Sequence, residues 1–284
     1  MSSSAQVRAW NAFWEEQGPE SRCLRSAPDE IHRLLCEYWK QFAGRLPMST
    51  QVLDIGCGTG TVGWSLVQAR PDLRIVGIDI ATVPVRSDDP RIQICPGIAT
   101  EALPFPDTSF GAAVSQFGLE YSNVPLATQQ LARVLKSGAR LSFVVHHSDS
   151  PIVEGDRAHS AALKAAMSEL IRAPFLSGDT STLRRQLQRL QSQFPDETTL
   201  WLLTRGLLER ISATAGLRQR LWNAVTEALV PDCILGDALE ASCVAPGDLG
   251  DWLAPLRKTF RLENASALMH RNDPIAWRIE AVKA

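Results

Sequence analysis

The chain has 284 residues, enough for one elaborated α/β domain or two smaller ones. Hydrophobic residues make up 45% and charged residues 21%, the composition of an ordinary globular protein that needs no disulfide or metal staple. Lys and Arg total 29 against 31 Asp and Glu, a formal charge of −2 that argues against a generally basic nucleic-acid-binding surface. Residues 1–50 read as helical and aromatic. Trp10, Phe13 and Trp14 come first. Ile31, Leu34, Leu35, Tyr38, Trp39 and Phe42 then follow the i, i+3, i+4 spacing of a one-faced helix from about Asp29 to Gly44. Gly18-Pro19 is a turn between the two segments. The opening residues lack the apolar core of a secretory signal, so a cytoplasmic protein is expected.

From Gln51 the texture changes. Short β-rich runs at 51–55, 74–79, 92–95, 110–115 and 139–146 alternate with helical stretches near 61–69 and 124–136. That alternation predicts βαβ units and a parallel sheet. Residues 151–245 turn helical, with candidates at Ala158–Ala173, Thr182–Gln193, Thr198–Thr214 and Leu217–Val230. Gly178, Pro195, Gly216 and Pro231 punctuate this block into four or so helices. The last stretch returns to α/β texture: a helix near Asp248–Lys258, then strands near Arg261–Met269 and Ala276–Val282 about an Asn272-Asp273-Pro274 turn. The expected organisation is a helical cap at 1–50, a core at 51–150, a helical insertion at 151–245 and completion of the core at 246–284. No run approaches the ~18–20 apolar residues of a membrane span. The six cysteines, Cys23, Cys36, Cys57, Cys95, Cys233 and Cys243, form no CxxC pair and read as small hydrophobes of a reducing compartment.

The most informative segment is Val52-Leu53-Asp54-Ile55-Gly56-Cys57-Gly58-Thr59-Gly60, a strand that runs through glycines into a helix. Glycines there let backbone approach a ligand at a helix N-terminus. About twenty residues on, Arg74-Ile75-Val76-Gly77-Ile78-Asp79 reads as a second strand ending in a carboxylate placed for the hydroxyls of a ribose. Gly58-x-Gly60-x-x-Gly63 formally satisfies the dinucleotide pattern, but its first glycine falls two residues past the natural strand end. The other register is Asp54-x-Gly56-x-Gly58-x-Gly60, with an acid inside the strand and three alternating glycines.

That second register resembles the first motif of class I S-adenosylmethionine-dependent methyltransferases. Leu103-Pro104-Phe105-Pro106-Asp107-Thr108-Ser109-Phe110 and Arg133-Val134-Leu135-Lys136-Ser137-Gly138 are similar to two further segments of the small-molecule group that includes ubiquinone/menaquinone-biosynthesis methyltransferases. The resemblance spans about residues 50–147. It implies a Rossmann-like seven-stranded sheet whose last strand runs antiparallel, with S-adenosylmethionine as cofactor. It also implies that Gly56, Cys57, Gly58 and Gly60 carry the methionine part, with Asp54 orienting the loop or the amino group. By the same likeness Asp79 holds the ribose, Ile80 packs on adenine, and Gln116 and Phe117 line the methyl end. Where the family has an acid for adenine, this chain has Ala99 followed by Thr100; where it has Asp at the start of strand four, this chain has Gly111.

The chemistry should lie beyond the carboxyl ends of the strands. His146 and His147 are the natural base candidates, and strand alternation aims only one of them at the pocket. Glu120 and Tyr121 are further candidates. His159 and His270 look isolated, and no metal site is expected. The insertion would act as a lid, with Trp10, Phe13, Trp14, Trp201 and Trp222 as apolar walls for a small-molecule acceptor. Its arginines, offset by acids, read as a solvated face. The expected activity is methylation of a small molecule at O, N or C, with no nucleic-acid or membrane partner and an open oligomeric state. The competing reading is a S-adenosylmethionine-binding protein of the same fold with non-methylating chemistry or a silent partner role.

Overall fold

Seven strands form one sheet in the computed structural model, which describes residues 4–17, 24, 27–82 and 89–284. The turn expected at Gly18-Pro19 and the residue Cys23 lie outside the described residues. In chain order the elements of the core are α1 (Ser4–Gln17), α2 (Asp29–Gly44), β1 (Gln51–Ile55), α3 (Thr61–Ala69), β2 (Arg74–Asp79) and β3 (Ile92–Pro96). β4 (Phe110–Gln116), α4 (Val124–Val134) and β5 (Leu135–His146) follow. After five helices, α5 (Pro151–Ala166), α6 (Glu169–Ser177), α7 (Thr180–Gln193), α8 (Thr198–Arg210) and α9 (Ala215–Ser242), come α10 (Leu249–Thr259), β6 (Phe260–His270) and β7 (Asp273–Lys283). The strand order is β3-β2-β1-β4-β5-β7-β6, and β7 runs antiparallel to both β5 and β6. This is the Rossmann-like seven-stranded sheet that the resemblance implied.

Alternation along each strand sorts side chains between two apolar layers. Leu53, Ile55, Ala113, Phe143 and Val145 join the core with α4 and α10; Val52, Ala112, Val114 and Val144 join the core with α2 and α3. Asp54, Gln116 and His146 continue the second set and His147 the first, which separates the two histidines. The order of strands reverses between β1 and β4, and a doubly wound sheet binds ligands in the crevice at the carboxyl ends of such a pair. α2 opens with Asp29 and Glu30 at its positive end and buries Ile31, Leu35, Tyr38, Trp39 and Phe42. α4 starts where the Asn123 side chain accepts the Leu126 backbone N–H at 3.1 Å.

Several boundaries differ from the expectations. β5 begins at Leu135, not 139: Lys136–Gly138 form an exposed bulge, with Gly138 at φ 75° and the register to β4 jumping between Phe110 and Ala112. The helix expected over Ala158–Ala173 is two, because Ser168 takes extended dihedrals (φ −68°, ψ 161°) and starts α6. Pro231 does not end its helix; α9 runs through it to Ser242, keeping Cys233 and Leu239 buried beyond the lost hydrogen bond. Gly111 sits at the β4 irregularity, where a methyl group would come 3.0 Å from Thr50 Cγ2, so the small residue makes room for the threonine.

Contacts divide the chain into two units, Met1–Glu154 with Ala238–Ala284, and Gly155–Asp237. The second unit has its own apolar core, including Ile171, Phe175, Leu183, Leu187, Leu207 and Trp222. No helix among the described residues is long and apolar enough to cross a membrane.

Candidate active site

β1 delivers Asp54 and Ile55 to a loop whose three glycines all have positive φ: 61° at Gly56, 49° at Gly58 and 83° at Gly60. Other residues adopt that region only with strain. The loop is held by Cys57 N–H to the Ile78 carbonyl (2.9 Å) and Gly60 N–H to the Cys57 carbonyl (2.8 Å). Cys57 was expected at the ligand, but its thiol turns under the loop against Gly77, where burial pushes its pKa up. Its side chain therefore plugs the sheet instead of lining a site. Asp79, at the end of β2, accepts Gly58 N–H on Oδ2 and Ala81 N–H on Oδ1, both at 2.9 Å. Burial raises its pKa, and the amides of Ala81, Gly58 and Ile80 oppose the shift. Each carboxylate oxygen keeps lone-pair capacity for one more donor.

Asp54 is 1% exposed, and neither of its oxygens has a hydrogen-bond partner. Burial pushes its pKa up to about 8; the nearby Gly63 amide pulls it back only in part, without a hydrogen bond of normal geometry.

One cavity brings Gly56, Asp79, Ile80, Thr100, Phe117 and Tyr121 together. Ala99 does not line it; its carbonyl accepts the Ala102 amide at 3.1 Å. Gln116 is also elsewhere. Its Oε1 accepts the Trp39 indole N–H at 2.7 Å, in a second cleft between α2 and α3. The same periodicity that carries Val114 to that face carries Gln116 there. Trp10, Trp14 and Glu101 line the first cavity without having been singled out for the cofactor. The i, i+4 spacing of the two tryptophans was the available signal. Glu101 lies two residues past the expected acid position and holds the Asn123 N–H at 2.7 Å.

The candidate catalytic residues fall into two groups. Glu120 Oε1 accepts the backbone N–H of His146 (3.0 Å) and pairs with its Nδ1 (2.8 Å); both residues are buried, and neither is among those that line the cavity. The imidazole stacks on Phe117 with centroids 4.2 Å apart, and Tyr121 meets it edge-on at 6.0 Å. Phe117 itself has φ 56°, a strained conformation of the kind that clusters at functional sites. His147 points to the opposite layer, stacked on Trp277 at 4.3 Å, and burial lowers its pKa.

In the helical unit, Trp222 is buried in that unit's own core and Trp201 is 53% exposed, so neither shows the wall role expected of it. His159, expected to be isolated, contacts Glu197 Oε2 at 2.8 Å and Asp232 Oδ2 at 3.9 Å. Those acids raise its pKa to about 9. His270 likewise pairs with Glu30 at 3.1 Å. Arg218 is not solvated: its guanidinium donates to the carbonyls of Leu176, Ile211 and Ala213.

The profile of the family described as "Methyltransferase domain" matches residues 53–143. A malonyl-(acyl-carrier protein) O-methyltransferase of Herminiimonas arsenicoxydans is 30% identical over 184 residues, covering 60% of this chain and 70% of that protein. A ubiquinone/menaquinone biosynthesis C-methyltransferase of Syntrophotalea carbinolica is 33% identical over 144 residues, covering 44% and 60% respectively. Among solved structures, the cyclase SpnF aligns over 98% of this chain and 93% of its own, at 16% identity and a TM-score of 0.47.

Proposed function

Since this chain belongs to the class I S-adenosylmethionine-dependent methyltransferases, we propose that it methylates an oxygen or carbon nucleophile of a small molecule, with His146 as base and Glu120 positioning it. The observation that supports this reading is that Gly56, the first glycine of the loop, and Asp79, whose carboxylate holds the Gly58 N–H, line one cavity. The residues fit the cofactor. Gly56 presents backbone to the cavity with no side chain in the way, Asp79 retains capacity for a ribose diol, and Ile80 offers an apolar surface beside it. Asp54 adds a buried carboxyl group without a protein partner.

Bound S-adenosylmethionine supplies a sulfonium methyl group open to direct displacement. Gly56, Gly58 and Gly60 would hold its methionine part, and Asp79 its ribose. Phe117 and Tyr121 exclude water from the acceptor and fix its approach. Glu120 fixes the His146 tautomer through Nδ1, so that Nε2 can take a proton from the acceptor. A neutral amine or a thiolate needs no such base, which favours an O–H or an acidic C–H. The two named relatives act at O and at C, in line with that choice. The five described cysteines are free thiols, which suits the reducing cytoplasm.

Calorimetry on Asp79→Ala tests the reading. S-adenosylmethionine affinity should fall about 10- to 100-fold with loss of the carboxylate contacts. Unchanged affinity, or preference for NAD, would overturn it.

A further inference from the structure

α1 lies on the cofactor cavity without belonging to the interior of the sheet unit. Ala9, Phe13 and Trp14 are buried, yet none of them is part of either apolar layer of the sheet. The rings of α1 contact one another and the cavity wall instead. Trp10 stacks on Trp14 with centroids 6.4 Å apart, Phe13 meets Trp14 edge-on at 4.8 Å, and Trp10 meets Tyr121 edge-on at 5.3 Å. A reciprocal pair of hydrogen bonds latches the helix. Asn11 Nδ2 donates to Thr82 Oγ1 at 2.9 Å, and the Thr82 backbone N–H donates to Asn11 Oδ1 at 2.7 Å. Both bonds are exposed, so water can replace each of them at small net cost.

The indole of Trp14 rests on the glycine loop. A methyl group on Gly58 would lie 2.4 Å from both Cζ2 and Cη2 of that ring. Gly58 N–H is bonded to Asp79 Oδ2 at 2.9 Å, so the ring covers the loop beside the carboxylate that suits a ribose. The space left among Trp10, Trp14, Gly56, Asp79 and Ile80 is about 60 Å³. That is room for a few water molecules, whereas small-molecule and cofactor pockets run from ~300 to ~1,000 Å³. The residues that fit the cofactor are in place, but the volume is not. Trp14 and a ligand on the loop cannot share the same face of Gly58.

We propose that α1 is a displaceable plug: Trp14 holds the cofactor cavity shut, and S-adenosylmethionine enters only when α1 leaves the glycine loop. This rests on the cavity being the S-adenosylmethionine site. A plug differs in sign from a clamp that folds over bound cofactor, because losing a clamp weakens binding and losing a plug tightens it. The apparent affinity is the intrinsic affinity scaled by the fraction of molecules that are open, so any change that loosens α1 raises it.

The test measures S-adenosylhomocysteine binding by calorimetry. Asn11 is not among the residues lining the cavity, so Asn11→Ala unlatches α1 and leaves the site itself intact. It should bind about 3- to 10-fold more tightly than wild type, and Trp14→Ala at least as tightly as Asn11→Ala. In stopped-flow fluorescence the wild-type binding rate should level off with rising ligand concentration, at the rate of α1 opening, and both variants should level off higher. Weaker or unchanged affinity in either variant overturns the proposal. Should Trp14→Ala fail to fold, Asn11→Ala and hydrogen exchange on the wild type decide. The amides of α1 should exchange faster with S-adenosylhomocysteine bound; slower exchange would make α1 a clamp, equal exchange a bystander, and both refute the plug. If neither wild type nor a folded variant binds S-adenosylhomocysteine, the reading of the cavity falls and the plug falls with it.

Discussion

Gly56 and Gly118 meet backbone to backbone: a methyl group on Gly56 would lie 2.8 Å from the Gly118 Cα, and one on Gly118 would lie 3.0 Å from the Gly56 Cα and 2.8 Å from the Ile55 carbonyl. The ends of β1 and β4 are therefore joined at a point where neither side can carry a Cβ. Gly118→Ala should cost about 1–3 kcal/mol in urea unfolding, because backbone must shift on both sides. Gly155→Ala is the contrast. It lies inside α5 with open space around it, so that variant should be neutral or gain up to about 1 kcal/mol.

Asp54 predicts a conflict between stability and ligand binding. Its folded pKa is raised to about 8, so the unfolded chain ionises it from about pH 4 upward while the native chain stays protonated. Native stability is therefore lost as pH climbs from about 4 to about 8. Asp54→Asn cannot ionise. It should be the more stable protein at pH 8, by about 1–3 kcal/mol, with a smaller margin at pH 5. Its S-adenosylmethionine affinity should fall, and thermal melts plus calorimetry at both pH values check the pair of effects.

For the proton-transfer step, His146→Ala should lower kcat by about 10²–10⁴. Glu120→Gln keeps the shape but not the charge, and should lower kcat about tenfold or more through misorientation of the ring. His147→Ala, on the other layer, should keep kcat within about tenfold and act on stability instead. A kcat loss at His147 that matches the loss at His146 would contradict this assignment.

The His159 imidazolium is paired with Glu197 and Asp232, and its folded pKa of about 9 exceeds the ordinary 6.5. Its contribution is complete below about pH 6.5 and is lost as pH rises through about 9. With the ring partly open to solvent, that contribution is on the order of 1–2 kcal/mol. The melt of the wild type should fall between pH 7 and pH 10, and the melt of His159→Gln should vary less over that range.

The helical unit Gly155–Asp237 has a core separate from the two sheet layers. Replacing it with a short linker should leave S-adenosylmethionine affinity within about threefold in a chain shown by thermal melt to be folded. A larger loss of affinity in a folded chain would contradict the independence of the sheet unit's cavity.

The elements that carry strong local signals were legible: the one-faced pattern of α2 placed both of its ends at Asp29 and Gly44, and the glycine loop marked the start of α3. Legibility failed where long-range packing decides. Nothing local tells Ser168 to break a helix or Pro231 to stay inside one. The placement of Asp79 and Ile80 beside a cavity could be read because a strand end fixes their position along the chain. Gln116 and Cys57 were misplaced because facing is set by the sheet's two layers, not by distance along the chain from the loop. Trp14 was visible as an aromatic but not as a neighbour of the glycine loop, since that contact emerges only when α1 lies on Gly58.

The placement of β7 has a consequence for synthesis on the ribosome. Ala276 pairs with His146, 130 residues earlier (276 − 146), so β5 leaves the exit tunnel long before its antiparallel neighbour exists. At roughly 5–20 residues per second, that delay is about 7–26 s. Throughout it β5 presents a bare hydrogen-bonding edge with Phe143, Val144 and Val145 along it, the kind of edge that templates aggregation. A nascent chain halted before Asp273 should accordingly be a chaperone client and insoluble alone, and the final eleven-residue strand acts as the closure that releases the protein from that risk.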